Sequence, residues 1–366
     1  MTIKAILVAG ARPNFMKIAP VWFEMRKAPL HFEPILLHTG QHYDYEMSKV
    51  FFEDLNLPEP DYFLGVGSGT HAEQTAKIMV EFEKILSKEK PALVVVFGDV
   101  NSTLACSITA KKLFISVAHV EAGLRSFDMT MPEEINRKVT DSLSDILFTP
   151  SKDGDANLLR EGVHPRQIHF VGNIMIDSLK EVLTHIGRMD EERLLREFGL
   201  EKREYVLVTL HRPSNVDDQD QLRKILDFLN GLARSRAVIF PVHPRTKKSI
   251  NGFGKTLVFN RGFKIVEPLR YREFIALEKN PKFVITDSGG VQEETTYLNI
   301  PCLTLRPNTE RPITITQGTN ELATIENLSG KIEPILAGDW KRGKVPELWD
   351  GETGQRIVHI LKGLER

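Results

Sequence analysis

The stretch Phe283-Val284-Ile285-Thr286-Asp287-Ser288-Gly289-Gly290-Val291-Gln292-Glu293-Glu294 decides the fold. Its first four residues form a short apolar, β-branched run that reads as a buried strand. Asp-Ser-Gly-Gly then punctuates the chain, and an amphipathic segment opens directly after it. Strand, tight turn and helix in immediate succession make the βα unit of a parallel sheet. The first N–H groups of such a helix have no intrahelical partner, and with the helix dipole they suit a phosphate. Ser288, Gly289 and Gly290 are therefore candidate phosphate-binding residues, and Glu294, one turn in, can accept hydrogen bonds from ribose hydroxyls. The structural alternative is an ordinary turn with Ser288 as N-cap.

The same alternation runs outward in both directions. In the second half, strands are predicted near Tyr205–Thr209, 238–240, 264–266 and Cys302–Leu305. In the first half they are predicted near Ile3–Ala9, 34–37, Leu93–Phe97, Ser116–Val120 and 146–148. Helical patterns lie between them, as at 70–87, where Ile78, Phe82 and Ile85 form one apolar stripe. A break falls near Gly172-Asn173. At 366 residues the chain exceeds one ordinary core. The expected fold class is α/β: two Rossmann-like, doubly wound parallel-sheet domains, 1–172 and 173–366, facing a central cleft. The segment 355–364 can pack on either domain.

Lys and Arg number 48 against 49 Asp and Glu, a formal net charge of −1, which argues against a general polyanion binder. Nucleic acid is not an expected partner, and phosphate binding must come from a few placed groups. Cys106 and Cys302 lie far apart in apolar settings and read as buried hydrophobes, so no metal site is expected. The run 4–10 is too short for a signal or spanning segment, and no later stretch is long and apolar enough to span a bilayer. No membrane partner is expected, and the location reads as cytoplasmic.

Further candidates gather at predicted strand ends, where open α/β sheets bind ligands. Gly10-Ala11-Arg12-Pro13-Asn14 with Lys17 follows the first strand and supplies cations. Asp99 follows 93–97 and Glu121 follows 116–120, where catalytic carboxylates belong. Asp99 as N-cap of the helix 101–112 is the structural alternative. Pro132 begins a helix in which Glu133 and Arg137 share a face, and a surface ion pair would explain them too. His211 and His243 end strands in the second half, as His42 and His119 do in the first; several histidines at one edge shift the balance toward function.

Taken in order, Gly10-Ala11-Arg12-Pro13 with Lys17, Thr39-Gly40-Gln41-His42, Gly98-Asp99, His119-Val120-Glu121-Ala122-Gly123-Leu124-Arg125, Pro132-Glu133-Glu134-Ile135-Asn136-Arg137, His211-Arg212, 287–294 and Thr309-Glu310-Arg311-Pro312 form a specific set. Over nearly the whole chain it resembles the non-hydrolysing UDP-N-acetylglucosamine 2-epimerases, a family with the GT-B fold. The resemblance implies that the first domain carries the acid–base carboxylates Asp99, Glu121 and Glu133, and the second binds UDP. Ser288, Gly289, Gly290 and Glu294 would hold diphosphate and ribose. Arg12, Lys17, His211 and Arg311 would surround the phosphates and sugar, with His211 in the catalytic set and Arg137 positioning a carboxylate. In this family UDP leaves by anti elimination as the C2 proton is removed, giving a 2-acetamidoglucal. UDP then re-adds with the proton returned to the other face. No cofactor is expected.

The resemblance also implies a homodimer in polysaccharide biosynthesis, and a second UDP-N-acetylglucosamine as activator near Gln41, His42, Glu134, Arg212 and His243. Two departures stand out. The family's His-Arg-Arg-Glu-Asn is His211-Arg212-Pro213-Ser214-Asn215 here, which changes the loop shared by sugar and activator. Gln41-His42-Tyr43-Asp44 and Ser126-Phe127-Asp128-Met129 resemble the branch acting on UDP-2,3-diacetamido-2,3-dideoxyglucuronate, which is the alternative substrate. A GT-B glycosyltransferase using a UDP-sugar explains Ser288 to Glu294 but not three collected carboxylates. A hydrolysing epimerase and a silent UDP-sugar sensor complete the alternatives.

Overall fold

The computed structural model describes residues 2–41, 55–254 and 257–363, without the side chains of Arg12 and Pro13. Two compact units emerge, Met1–Lys180 with Glu347–Arg366, and Glu181–Pro346.

The first unit is built on seven strands, β1 (Ile3–Ala9), β2 (Phe32–His38), β3 (Tyr62–Phe63), β4 (Leu93–Phe97), β5 (Ser116–Val120), β6 (Ile146–Thr149) and β7 (Ile168–Phe170). All five residues of β4 are buried. A strand covered on both faces needs such a continuous apolar run, and each full burial contributes roughly 1.5–3 kcal/mol. The sheet is parallel throughout, in the order β3-β2-β1-β4-β5-β6-β7. Its helices include α1 (Arg12–Arg26), α2 (His71–Glu89), α3 (Asn101–Lys112), α4 (Pro132–Leu143), α5 (Lys152–Arg160) and α6 (Ile174–His185).

The second unit holds α7 (Arg188–Glu197), β8 (Tyr205–Thr209), α8 (Pro213–Val216), α9 (Gln219–Leu232), β9 (Ala237–Pro241), α10 (Pro244–Asn251), β10 (Phe263–Val266) and α11 (Tyr271–Glu278). It continues through β11 (Phe283–Thr286), α12 (Gly289–Leu298), β12 (Cys302–Leu305), α13 (Ile313–Thr316), β13 (Asn320–Ala323) and α14 (Leu328–Ala337). Its strands are parallel in the order β10-β9-β8-β11-β12-β13.

Both sheets reverse winding direction once, between β1 and β4 and between β8 and β11. Ligands of open α/β sheets bind outside the carboxyl ends of strands at such a point. The chain after each of these four strands is therefore where ligand-binding residues are expected. The strands absent from the sequence reading, β3, β7 and β13, are all edge strands of two to four residues. Half-covered edges need little apolar patterning, which is why they leave a faint signal.

The last helix, α15 (Thr353–Lys362), packs on α1 in the first unit. Asp177 of α6 caps it, accepting the N–H groups of Thr353 at 3.1 Å and Gly354 at 2.7 Å. Trp349, buried beside it, donates its indole N–H to the Pro150 carbonyl at 3.0 Å. No helix among the described residues is long and apolar enough to cross a membrane.

Candidate active site

In the first unit, Asn14 ties the turn after β1 to the end of β4. Its Oδ1 accepts the N–H groups of Gly10 (3.2 Å) and Ala11 (2.8 Å), and its Nδ2 donates to the Phe97 carbonyl at 2.9 Å. One turn along α1, Lys17 pairs with Glu121; only 7% and 3% of these residues remain exposed, so the pair is largely dry. Glu121 sits in the left-handed region at φ +73°. That costs a non-glycine residue about 1–2 kcal/mol, and such strain concentrates at working sites. Gly98, also left-handed at φ +66°, borders the pair: a Cβ there would lie 2.9 Å from Lys17 Nζ and 3.3 Å from Glu121 Oε2.

Asp99 follows directly. The N-cap of α3 is Val100, so Asp99 does not cap that helix. Its partly exposed carboxylate pairs with Arg137 of α4. Arg137 is itself buried, which rules out a merely superficial ion pair, and it also reaches Glu134 through Nε (3.0 Å) and Nη2 (2.5 Å). Glu134 accepts the Ser126 and Phe127 N–H groups at 3.0 Å each. Burial pushes the Glu134 carboxyl up, but these N–H groups and Arg137 outweigh it and hold it below its usual range. Glu133 is half-buried in the first turn of α4.

His119 is enclosed in the sheet, with Nδ1 2.6 Å from Asp141 Oδ1 and Nε2 donating to the Gly98 carbonyl at 2.8 Å. Asp141 Oδ2 meets Arg125 at 2.7 Å and accepts the Gly123 N–H at 3.1 Å. Burial pushes Asp141 up, but His119 and Arg125 hold it below the usual carboxylate range. The backbone just before Asp99 and just after Glu121 is thus tied to one buried carboxylate. The sequence placed His119 at a strand end, while Asp141, in the last turn of α4 and many residues away, carried no local signal. Gln41 Oε1 accepts the Ser102 hydroxyl (2.7 Å) and N–H (3.2 Å). His42 lies outside the described residues, as does the Arg12 side chain.

In the second unit, Asp287 staples the end of β11 to the end of β8. Fully buried, it accepts the N–H groups of His211 (3.1 Å) and Arg212 (2.9 Å) and the Asn215 amide (3.0 Å), and the His211 ring lies 3.2 Å away. Burial pushes its carboxyl up, but His211 and Asn215 hold it below the usual range. Ser288 is the N-cap of α12, yet its hydroxyl makes no capping hydrogen bond. Arg311 lies against the first turn of this helix, where a Cβ on Gly289 would come within 2.5 Å of Nη1. Glu293 holds the Arg311 Nε at 2.7 Å, and Glu310 pairs with Nη1. Gly290 completes the turn. Arg212 approaches Glu310 at 4.0 Å. His243 caps α10 by accepting the Arg245 N–H at 3.2 Å, and its ring centroid is 5.7 Å from that of His211. Glu294 is buried and accepts the Tyr271 hydroxyl at 2.7 Å. Helix N–H groups with an arginine against the first turn are an arrangement that suits an anion. Among the described residues no three His, Cys, Asp or Glu side chains are grouped to hold a metal.

The first unit therefore brings together Lys17, Asp99, Glu121 and Arg137, and the second His211, Arg212, Ser288, Gly289 and Arg311, each set at its own switch point. Two doubly wound parallel sheets with these sites define the GT-B class of α/β enzymes. A family model described as UDP-N-acetylglucosamine 2-epimerase matches residues 24–362, and the chain belongs to that family. The UDP-N-acetylglucosamine 2-epimerase of Methanocaldococcus jannaschii is 44% identical over 98% of this chain and 99% of its own. Its crystal structure in complex with UDP-GlcNAc and UDP covers 99% of this chain and 100% of its own, with a TM-score of 0.88. The UDP-2,3-diacetamido-2,3-dideoxy-D-glucuronate 2-epimerase of Pseudomonas aeruginosa is 41% identical over 87% of this chain and 88% of its own.

Proposed function

We propose that this chain interconverts UDP-N-acetylglucosamine and UDP-N-acetylmannosamine without hydrolysis. The observation that carries this reading is Glu121, held in a strained left-handed backbone and paired through its buried carboxylate with Lys17 next to Gly98-Asp99. Kinship along nearly the whole chain with the M. jannaschii enzyme supports it.

The chemistry follows from the residue types. A proton on C2 is weakly acidic, so its base must be a placed carboxylate shielded from water. Asp99, Glu121 and Glu133 are assigned that proton work, one taking the C2 proton and another returning it to the opposite face. As the C2–H pair becomes the C1=C2 bond, the C1–O bond breaks and its electrons leave on UDP. The departing charge is met by the N–H groups of Ser288, Gly289 and Gly290, with Arg311, Arg12 and Lys17 as cations and His211 beside them. Glu294 accepts the ribose hydroxyls. Re-addition of UDP reverses each bond change, and no oxidant is consumed. Arg137 holds Asp99 in place.

We infer a cytoplasmic homodimer serving polysaccharide biosynthesis from family membership, and an activating second UDP-GlcNAc around Gln41, His42, Glu134, Arg212 and His243. The stretches Gln41-His42-Tyr43-Asp44 and Ser126-Phe127-Asp128-Met129 and the 41% identical P. aeruginosa relative make UDP-2,3-diacetamido-2,3-dideoxyglucuronate the second substrate to test.

Proton NMR with UDP-N-acetylglucosamine in heavy water tests the proposal. UDP-N-acetylmannosamine carrying deuterium at C2, without free sugar, is the expected product. Free N-acetylmannosamine plus UDP would mean hydrolysis. An unchanged spectrum there, followed by turnover of the diacetamido-glucuronate, would move the assignment to that branch.

A further inference from the structure

Glu278 ends α11 with no exposed surface, and among the described residues neither of its carboxyl oxygens receives a hydrogen bond from a protein donor. The group it meets is the Glu294 carboxyl. Two ionised carboxylates are acceptors only, so they bond to each other only when one carries a proton. An ionised carboxylate buried without a donor is also costly. Tyr271 opens the same helix two turns earlier and so shares its face, and its hydroxyl donates to Glu294 Oε1 at 2.7 Å. Glu294 is thus approached by two side chains of α11, one of which can donate only as the acid.

We propose that Glu278 is a positioning residue for nucleotide binding: its carboxyl stays the neutral acid and donates to Glu294, and with Tyr271 it holds an ionised Glu294 toward the ribose diol. The proposal rests on the assignment of Glu294 to ribose made above. Burial and the Glu294 charge push Glu278 well above the usual carboxyl range. Burial pushes Glu294 only to about 7, against the lowering by Tyr271 and with Glu293 adding to the rise and Glu278 opposing it. The proton therefore belongs on Glu278. Among the described residues the other titratable groups around the pair are Tyr205, Tyr271, Cys302 and Glu293. Burial pushes both phenols and the thiol up, so they stay neutral, and Glu293 is paired with Arg311. UDP affinity should accordingly rise as the pH rises through the neutral range and Glu294 ionises.

The test measures calorimetric affinity for UDP and for 2′,3′-dideoxy-UDP across that range, in wild type, Glu278→Gln and Glu278→Met. The amide still donates to Glu294, so Glu278→Gln should keep the wild-type preference for UDP and its pH midpoint. Glu278→Met removes the donor and should lose about tenfold or more of that preference, with the midpoint moved to higher pH. A folded Glu278→Met with unchanged preference and midpoint overturns the proposal, as does a Glu278→Gln that loses the preference. Wild type binding both nucleotides equally would instead sink the ribose assignment of Glu294, a different result. Infrared difference spectra of wild type against Glu278→Gln at neutral pH supply a readout that does not depend on the methionine variant folding. The neutral-acid C=O stretch should be stronger in the wild type by one carboxyl, and a difference spectrum without that band overturns the proposal.

Discussion

Gly98→Ala is expected to separate catalysis from folding. Alanine at φ +66° costs about 1–2 kcal/mol in backbone strain. Gly162, in the same unit at φ +86°, would bear the same cost with nothing within 4 Å of the added Cβ. At Gly98 the Cβ would also come to 2.9 Å from Lys17 Nζ. That atom ends a flexible side chain, so it yields, and in yielding it alters its pairing with Glu121. Both variants should therefore lose similar stability, a fall in melting temperature of roughly 2–8 °C at about 2–4 °C per kcal/mol. Only Gly98→Ala disturbs the Lys17–Glu121 pair, and a misplacement of about 1 Å can cost on the order of a hundredfold in rate. The assays are deuterium incorporation at C2, UDP affinity by calorimetry and thermal unfolding. Equal turnover in the two variants would refute the role given to the Lys17–Glu121 pair.

Asp99→Asn and Glu121→Gln keep shape but remove the base, so deuterium incorporation should drop by about 100- to 10,000-fold while calorimetry still detects UDP. Arg137→Lys cannot span Asp99 and Glu134 with one ammonium; turnover should fall about 10- to 100-fold with UDP affinity retained. Asp177 is pushed up to about 6 by burial, against the N–H groups of Gly354 and Thr353. Its folded value exceeds its unfolded one of about 3.9. Its contribution to stability is therefore fully present below that unfolded value and is lost as pH rises through about 6. The stability difference between wild type and Asp177→Asn, measured by urea unfolding at several pH values, should change across that window and level off above it.

Most of the fold was legible because hydrophobic patterning is local. The run Leu93-Val94-Val95-Val96-Phe97 has no reading other than a buried strand once bracketed by helical patterns, and β4 has those bounds. The turn at Ser288-Gly289-Gly290 was legible for the same reason, since strand, breaker and helix follow one another within twelve residues. The partners of site residues were far less so. Glu133 and Arg137 invited pairing by their spacing, yet the partners of Arg137 include Glu134 and Asp99, the latter from another strand end. Asp287 lay within the quoted motif, but its work, gathering the N–H groups after β8, depends on β8 being its neighbour in the sheet.

By itself the sequence determined the α/β class, the strand–turn–helix units and the residue types able to handle a proton and a diphosphate, all of which rest on patterns spanning a dozen residues or fewer. Only the tertiary structure decided strand order, and with it the switch points that bring Lys17 to Glu121 across 104 residues of chain. It also decided that α15 returns to the first unit, where Trp349 meets Pro150 across 199 residues. Periodicity tells which face of an element seeks burial, but many faces are equally apolar. Which one it meets is settled by packing and by the pairing of buried polar groups such as Asp177, Asp287 and Arg137.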